Sequence, residues 1–247
     1  MNDKGYFRLY EDRYRLLHEQ GIEDWIADPD EMTRIINSVD DFLKYAKCIQ
    51  EKTAMIEFGS GQGHLAEYLL GRGYRYLGVD VSASAIRQAR KRTGEKGGNV
   101  FLTADVTNLK DIQDSTYDAA IDNQCLHMLV TDEHRKKYLA QVKRILKSGG
   151  KAFFRELTQP EEFKAKIASF EDFLEKSVGN NMKLHDYAAY TDGEQRQIKL
   201  PGIPARFNNE NGYRRELEQA GFKVDRFIME RNHCIIYSQA TPKVESL

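Results

Sequence analysis

Cysteine is scarce in this chain, and what there is forms no pattern. The 247 residues include three cysteines, Cys48, Cys125 and Cys234. They are far apart, odd in number and without CxxC spacing, so neither a zinc site nor a disulfide framework is expected. Free thiols in a reducing cytosol are the simpler expectation. No run of about 18 apolar residues occurs, so no membrane-spanning helix and no membrane partner are expected. The start, Met1-Asn2-Asp3-Lys4-Gly5-Tyr6, is polar and lacks the apolar core of a signal peptide, so a cytoplasmic location is expected. An excess of charge is missing too: Lys and Arg number 37, Asp and Glu 38, for a net charge of -1. Without a basic excess the attraction to a phosphate backbone is weak, and nucleic acid is not an expected partner.

What is present is 40% apolar residues, enough for a large α/β domain with a buried sheet. Residues 1 to 52 are charged and helical in pattern. Asp28-Pro29-Asp30 marks a turn with an acidic helix start behind it. Met32, Ile35, Ile36, Val39, Phe42, Leu43 and Ala46 then follow at spacings of three and four, one face of a helix. From 54 to 156, short apolar strands alternate with helices. The strands are 54–58, 74–80, 100–102, 117–121 and 151–156; a helix over 133–146 stops at Lys147-Ser148-Gly149-Gly150. The alternation predicts a parallel sheet wound on both faces. Residues 157 to 208 break it, with a helical piece expected over 161–177. A helix over 210–220 and strands over 223–229 and 233–238 restore it, and adjacent final strands predict an antiparallel hairpin.

The first strand, Ala54-Met55-Ile56-Glu57-Phe58, runs into Gly59, Gly61 and Gly63 and then a helix. Glycines let a backbone turn tightly and approach a ligand, and the helix start offers unpaired N–H groups. Taken alone, such a triplet also serves a plain strand–helix turn. Its spacing is GxGxG. His64 stands where the dinucleotide pattern needs its last glycine, and no Lys-Ser or Lys-Thr follows as in a phosphate-binding Walker loop. Asp80 ends the second strand, where a carboxylate can accept hydrogen bonds from both hydroxyls of a ribose; the alternative is a cap for the next helix. Asp105 ends the third, placed to take an adenine amine, with Val81 and Val106 as walls for the ring. The alternative there is a solvated loop end.

These elements together resemble the class I, Rossmann-like, S-adenosylmethionine-dependent methyltransferase family. The Glu57-to-Gly63 segment is similar to its first motif, Asp80 to its ribose acid and Ala104-Asp105-Val106 to its adenine motif. Residues 117–127 are similar to its fourth-strand motif. Leu146-Lys147-Ser148-Gly149-Gly150 is similar to its LKPGG turn, with Ser148 in place of proline. The likeness covers residues 54–156 well and 209–240 moderately. It implies a doubly wound, mostly parallel seven-stranded α/β sheet with an antiparallel C-terminal hairpin. It also implies a helical segment, 1–52, over the cofactor site, and a domain, 53–247, with 157–208 inserted on the acceptor side.

The resemblance further implies S-adenosylmethionine as cofactor, held by Glu57, Gly59, Ser60, Gly61, Gly63, Asp80, Val81, Asp105, Val106, Asn123 and Gln124. Tyr14 and Trp25 are expected to close over the sulfonium by cation–π attraction, with ordinary helix packing as the alternative. His127, in the loop expected beside the sulfonium, is the candidate base or acceptor contact; it can equally be structural. Tyr10, His185, Tyr190 and Arg206 are candidate acceptor contacts. No metal is expected, since Asp122 has no acidic partner at suitable spacing. The expected reaction is in-line methyl transfer to oxygen or nitrogen of a small molecule. Alternatives are a protein or peptide side chain as acceptor, a non-catalytic binding module of the same fold, and a nicotinamide oxidoreductase.

Overall fold

The computed structural model describes residues 5–22, 24–25, 29–94, 100–176, 184–191 and 194–242, with the backbone alone at 29 and over 184–191 and 194–196. Its centre is β1 (Ala54–Phe58), buried at all five positions. Such an unbroken apolar run is what a parallel strand covered on both faces requires. Beside it lie β2 (Arg75–Asp80) and β3 (Phe101–Thr103) on one side, and β4 (Tyr117–Asn123) and β5 (Leu146–Leu157) on the other. The final strands are β8 (Phe222–Glu230) and β9 (His233–Ala240), and the order across the sheet is β3-β2-β1-β4-β5-β9-β8. β9 is antiparallel to both neighbours, so β8 again runs in the direction of β1 to β5. The seven-stranded, mostly parallel sheet and its antiparallel end are as expected.

Neighbouring side chains along each strand enter opposite layers, as strand geometry dictates. Ile56, Ala120, Phe154 and Ile236 face one core with α5 (Asp132–Ile145) and α7 (Glu210–Gln219). Met55, Ala119, Phe153 and Ile235 face the other, with α2 (Pro29–Tyr45), α3 (His64–Gly71) and α4 (Ala83–Thr93). Helix starts are fixed by side-chain caps. Ser82 accepts from Ala85 N at 3.0 Å, Thr131 from His134 N at 3.2 Å and Asn209 from Gly212 N at 3.0 Å. α3 has no such cap; it starts from Gly63 at φ +77°, where an added Cβ would lie 2.8 Å from Ala89 Cβ.

One expectation needs correction. The expected helix over 161–177 is α6 (Phe170–Lys176) only. Before it, backbone N–H groups bond to side chains from elsewhere: Phe163 N to Asn208 Oδ1 at 3.0 Å and Ile167 N to Asp132 Oδ2 at 3.1 Å. Those bonds replace the helical ladder. Lys147–Gly150 makes the expected turn as a bulge near the start of β5, which follows α5 directly: Tyr117 pairs with Leu146 and Ala119 with Lys151, so the four residues stand against Asp118 alone, with Gly149 at φ +74°. The N-terminal segment is divided. α1 (Arg8–Glu19) lies over the loops at the strand ends, while α2 packs mainly on a sheet face through Ile35, Val39 and Phe42. The segment after α6 forms a hairpin of its own, β6 (Leu184–Thr191) with β7 (Glu194–Pro201). It rests on α1, where Leu200 meets Leu17 and Ile22, and Arg13 Nη1 donates to Pro201 O at 2.9 Å.

Candidate active site

Strand order reverses between β1 and β4, and open α/β sheets bind ligands at that crevice, outside the carboxyl ends of the strands. A cavity of about 570 Å³ lies there, within the range of small-molecule sites.

One end of the cavity is built by backbone. Gly59, Gly61 and Gly63 all have positive φ, +65°, +51° and +77°. A Cβ on Gly61 would stand 2.8 Å from the Tyr14 hydroxyl, so the loop and α1 approach each other only because the side chain is missing. The loop is tied to the next strand through Asp80: Gly61 N donates to Oδ2 and Ser82 N to Oδ1, each at 2.8 Å. Asp80 therefore both braces the loops and lines the cavity. Burial pushes its carboxyl up to about 6, against the lowering effect of those amides. Val81, Asp105 and Val106 continue the wall. The Asp105 carboxylate is oriented by Thr107, whose N and Oγ1 donate to Oδ1 at 2.8 and 2.7 Å.

Glu57 lies under the loop, 3% exposed and lining the cavity. The Tyr76 hydroxyl donates to it. Burial pushes its carboxyl up to about 8. A cation arriving there would restore the ionised form. Ser60 Oγ and Asn123 Oδ1 are buried without a hydrogen-bond partner, and both residues line the cavity. Buried polar groups are seldom left so unless a ligand or water completes them. Gln124, at φ +69°, and Cys125 finish the wall at the end of β4.

Tyr10, Tyr14 and Trp25 close the top. The Tyr14 and Trp25 rings meet at 4.7 Å between centroids, and the Arg13 guanidinium lies 4.7 Å from the Trp25 ring centre. The Tyr10 hydroxyl is 2.6 Å from Met128 O and 3.0 Å from Pro204 O, pinning the start of α1 over the β4 loop. Thus the glycine loop, Glu57, Ser60, Asp80, Val81, Asp105, Val106, Asn123, Gln124, Tyr10, Tyr14 and Trp25 share one cavity, Gly63 excepted. Gly63 stands just behind, against Ala89 and Phe101.

Two candidates are elsewhere. His127 is fully buried, in the short 3-10 turn Leu126–Met128, and does not line the cavity. Its Nδ1 is 2.5 Å from Glu156 Oε2, which also accepts from His127 N at 3.0 Å. Burial pushes the imidazole down to about 3 and the Glu156 carboxyl up to about 7. Cys125 N and Leu126 N both donate to Asp122, and Leu126 N also to Glu156. His127 is therefore part of the brace that shapes the β4 loop, and the base expected there is a structural group. Arg206 is also turned away. Its Nη1 donates to Asp132 Oδ1 at 2.5 Å and Val130 O at 3.2 Å, and its guanidinium covers the Phe163 ring. It fastens residues 201–208 to the start of α5. His185 and Tyr190 are on β6, whose side chains lie outside the described residues.

The end of the cavity away from Asp80 is walled by Glu31, Met32, Ile35, Leu157, Asn232 and His233, none of them singled out from the sequence. One signal was present for the last two. A final hairpin whose first strand runs parallel to the sheet must make its turn at the ligand edge. That turn is Arg231-Asn232.

Residues 56–154 match the family described as the methyltransferase domain. An uncharacterized methyltransferase of Schizosaccharomyces pombe is 28% identical over 106 residues, 42% of this chain and 72% of that protein. A ubiquinone biosynthesis O-methyltransferase of Idiomarina loihiensis is 29% identical over 106 residues, 42% of each chain. Among solved structures, the 1,6-didemethyltoxoflavin-N1-methyltransferase of Burkholderia thailandensis, with bound 1,6-didemethyltoxoflavin and S-adenosylhomocysteine, superposes with a TM-score of 0.63. It is 18% identical and the match covers 98% of this chain and 92% of that one. The domain over residues 56–154 and the fold of the chain are those of class I S-adenosylmethionine-dependent methyltransferases. The chain's cofactor is S-adenosylmethionine.

Proposed function

We propose that the chain transfers the methyl group of S-adenosylmethionine to an oxygen or nitrogen of a small molecule. The observation that carries this is the cavity: about 570 Å³ in volume and roofed by α1 at the cofactor end, it extends past Asp80 and the glycine loop to a second end that mixes apolar walls with Glu31, Asn232 and His233. The substrate in the Burkholderia structure is a small heterocycle, and the Idiomarina relative is an O-methyltransferase, which supports the same choice.

The residues fit the cofactor. Asp80 has lone pairs left on both oxygens for ribose hydroxyls, and Asp105 with Val81 and Val106 suits the adenine. Glu57, Ser60 and Asn123 supply buried polar atoms for the amino-acid part. Tyr14 and Trp25 offer aromatic faces to a cation. The bound cofactor supplies an electrophilic methyl on sulfur. The chain supplies alignment, exclusion of water and a place for the acceptor's proton.

A thermal-shift comparison tests the cofactor assignment. S-adenosylhomocysteine at about 100 times its Kd stabilises the chain by about 2.7 kcal/mol, and NAD does not. Stabilisation by NAD alone overturns it. Release of S-adenosylhomocysteine is then followed with phenols, hydroxybenzoates and aromatic amines beside unstructured peptides. Turnover with the peptides alone overturns the small-molecule assignment.

A further inference from the structure

With His127 sealed against Glu156, the acceptor's proton needs another destination. Among the described residues lining the cavity, His64 and His233 carry imidazoles. His64 Nε2 faces Asp24 Oδ1 at 2.9 Å, beside the glycine loop. His233 stands at the opposite end, across from Gln124 at the tip of β4. Gln124 Nε2 lies 3.0 Å from His233 Nε2, a contact made only by an unprotonated ring nitrogen, whose lone pair accepts from the amide. Glu31 Oε1 is 3.9 Å from the same nitrogen.

The surroundings keep this imidazole neutral and the carboxylate ionised. Burial, then the positive charge of Arg155, pushes His233 down to about 4. Burial raises the Glu31 carboxyl, but hydrogen bonds from Arg34 and the charge of Arg155 outweigh it, and it stays below the ordinary range. Arg155 itself is 1% exposed and contacts Glu31 Oε1 at 2.7 Å. A resting neutral imidazole with a fixed carboxylate beside it is the arrangement a proton acceptor requires.

Resting on the cofactor assignment above, we propose that His233 is the proton acceptor of the methyl-transfer step, with Gln124 and Glu31 positioning it, and that the methyl acceptor is a neutral O–H or N–H donor. The acceptor's hydrogen takes the place of the Gln124 amide on Nε2. A lone pair on the acceptor's oxygen or nitrogen forms the new bond to the methyl carbon. The carbon–sulfur bond breaks with its electron pair left on sulfur as a thioether, and the proton passes to Nε2 and on to water. An imidazole of low pKa suffices for a hydroxyl or an aromatic amine, because alkylation turns it into a strongly acidic oxonium or aryl-ammonium. Glu31 faces the imidazolium formed.

Sinefungin tests the placement without knowledge of the acceptor, since it carries an ammonium where S-adenosylmethionine carries its methyl. Calorimetric Kd values for sinefungin and S-adenosylhomocysteine are compared in the wild-type chain and in His233→Leu, His233→Gln and Glu31→Gln. The wild type prefers sinefungin by about tenfold, the scale of one hydrogen bond to a charged group. His233→Leu abolishes the preference and leaves S-adenosylhomocysteine affinity unchanged; His233→Gln, which keeps an acceptor oxygen, restores part of it. Glu31→Gln reduces it less. An unchanged preference in His233→Leu overturns the proposal, as does an equal loss for both ligands with a lowered melting point, the mark of a structural role. If neither ligand binds the wild type, the cofactor assignment falls and takes this one with it.

Discussion

The floor and adenosine wall of the cofactor end come from one stretch of sequence, Glu57 to Val106, with Tyr14 and Trp25 above and Asn123 beside, while the opposite end draws on four separated segments: the start of α2, the tip of β4, the end of β5 and the β8–β9 turn. At the first end, backbone does the holding: amides of Gly61 and Ser82 fix Asp80, and positive-φ glycines shape the loop. At the second, side chains from distant elements meet, as Gln124 meets His233 and Arg155 meets Glu31. Beneath both lies the His127–Glu156 pair, equally polar but wholly buried. The difference separates groups that serve a ligand from groups that serve the loop carrying it.

Substitutions separate these roles by affecting affinity and stability differently. The largest effect is expected at Asp80. Asp80→Ala removes the acceptor of two amides together with the ribose contact, and S-adenosylhomocysteine affinity falls about 100-fold by calorimetry, as for charged hydrogen bonds. Unaltered affinity would erase the distinction between the two ends. His127→Ala moves the other quantity. Leaving Glu156 without its buried hydrogen-bond partner destabilises by about 2 kcal/mol in denaturant unfolding, with S-adenosylhomocysteine affinity unchanged in the folded fraction. A variant of full stability and no turnover would return His127 to the chemistry.

Gly61→Ala is milder. It forces a Cβ to positive φ and against the Tyr14 hydroxyl, costing about 1–2 kcal/mol of stability, with weaker cofactor binding as α1 is pushed away. The smallest effect concerns pH. Glu57 and Glu156, raised to about 8 and 7, bind protons more tightly folded than unfolded. Their contribution is complete below the ordinary carboxylate pKa and is lost as pH rises through 7 and 8. Glu57→Gln therefore flattens the fall in melting temperature between pH 5 and 8. In the wild type, saturating S-adenosylhomocysteine, whose ammonium favours the ionised carboxylate, flattens it too and leaves the Glu156 share. No change of slope in either case would mean that Glu57 is ionised throughout.

The legible parts of the site are those at fixed offsets from strand ends. Glu57, Asp80 and Asp105 each sit at the carboxyl end of a parallel strand, and a parallel sheet puts all such ends on one edge. The sheet itself was legible for the same reason, through apolar runs closed by glycines and caps. His127 was not, because it lies one short turn beyond β4, where a single residue decides whether a side chain points up at a ligand or down into the core. Arg206 and the 161–169 stretch depend on partners on other elements, Asp132 and Asn208, which no local pattern reveals. His233 faces Gln124 from 109 residues further along the chain. Only the direction of β8 brings them together.

The roof has a fastening of its own. Glu11, on α1, accepts from Ser82 Oγ at 2.6 Å, from Ser84 N at 3.1 Å and from Ser84 Oγ at 2.6 Å, at the start of α4. Burial raises its carboxyl, but those bonds outweigh it and hold the acid below its ordinary range. A negative charge at a helix N-terminus is favourable, and bonds to it are strong. The clasp closes on Ser82 and Ser84, two and four residues past Asp80, so the roof is latched to the edge of the cavity wall that Asp80 forms. Lifting α1 from the cavity therefore breaks these three bonds as well as the contacts inside it.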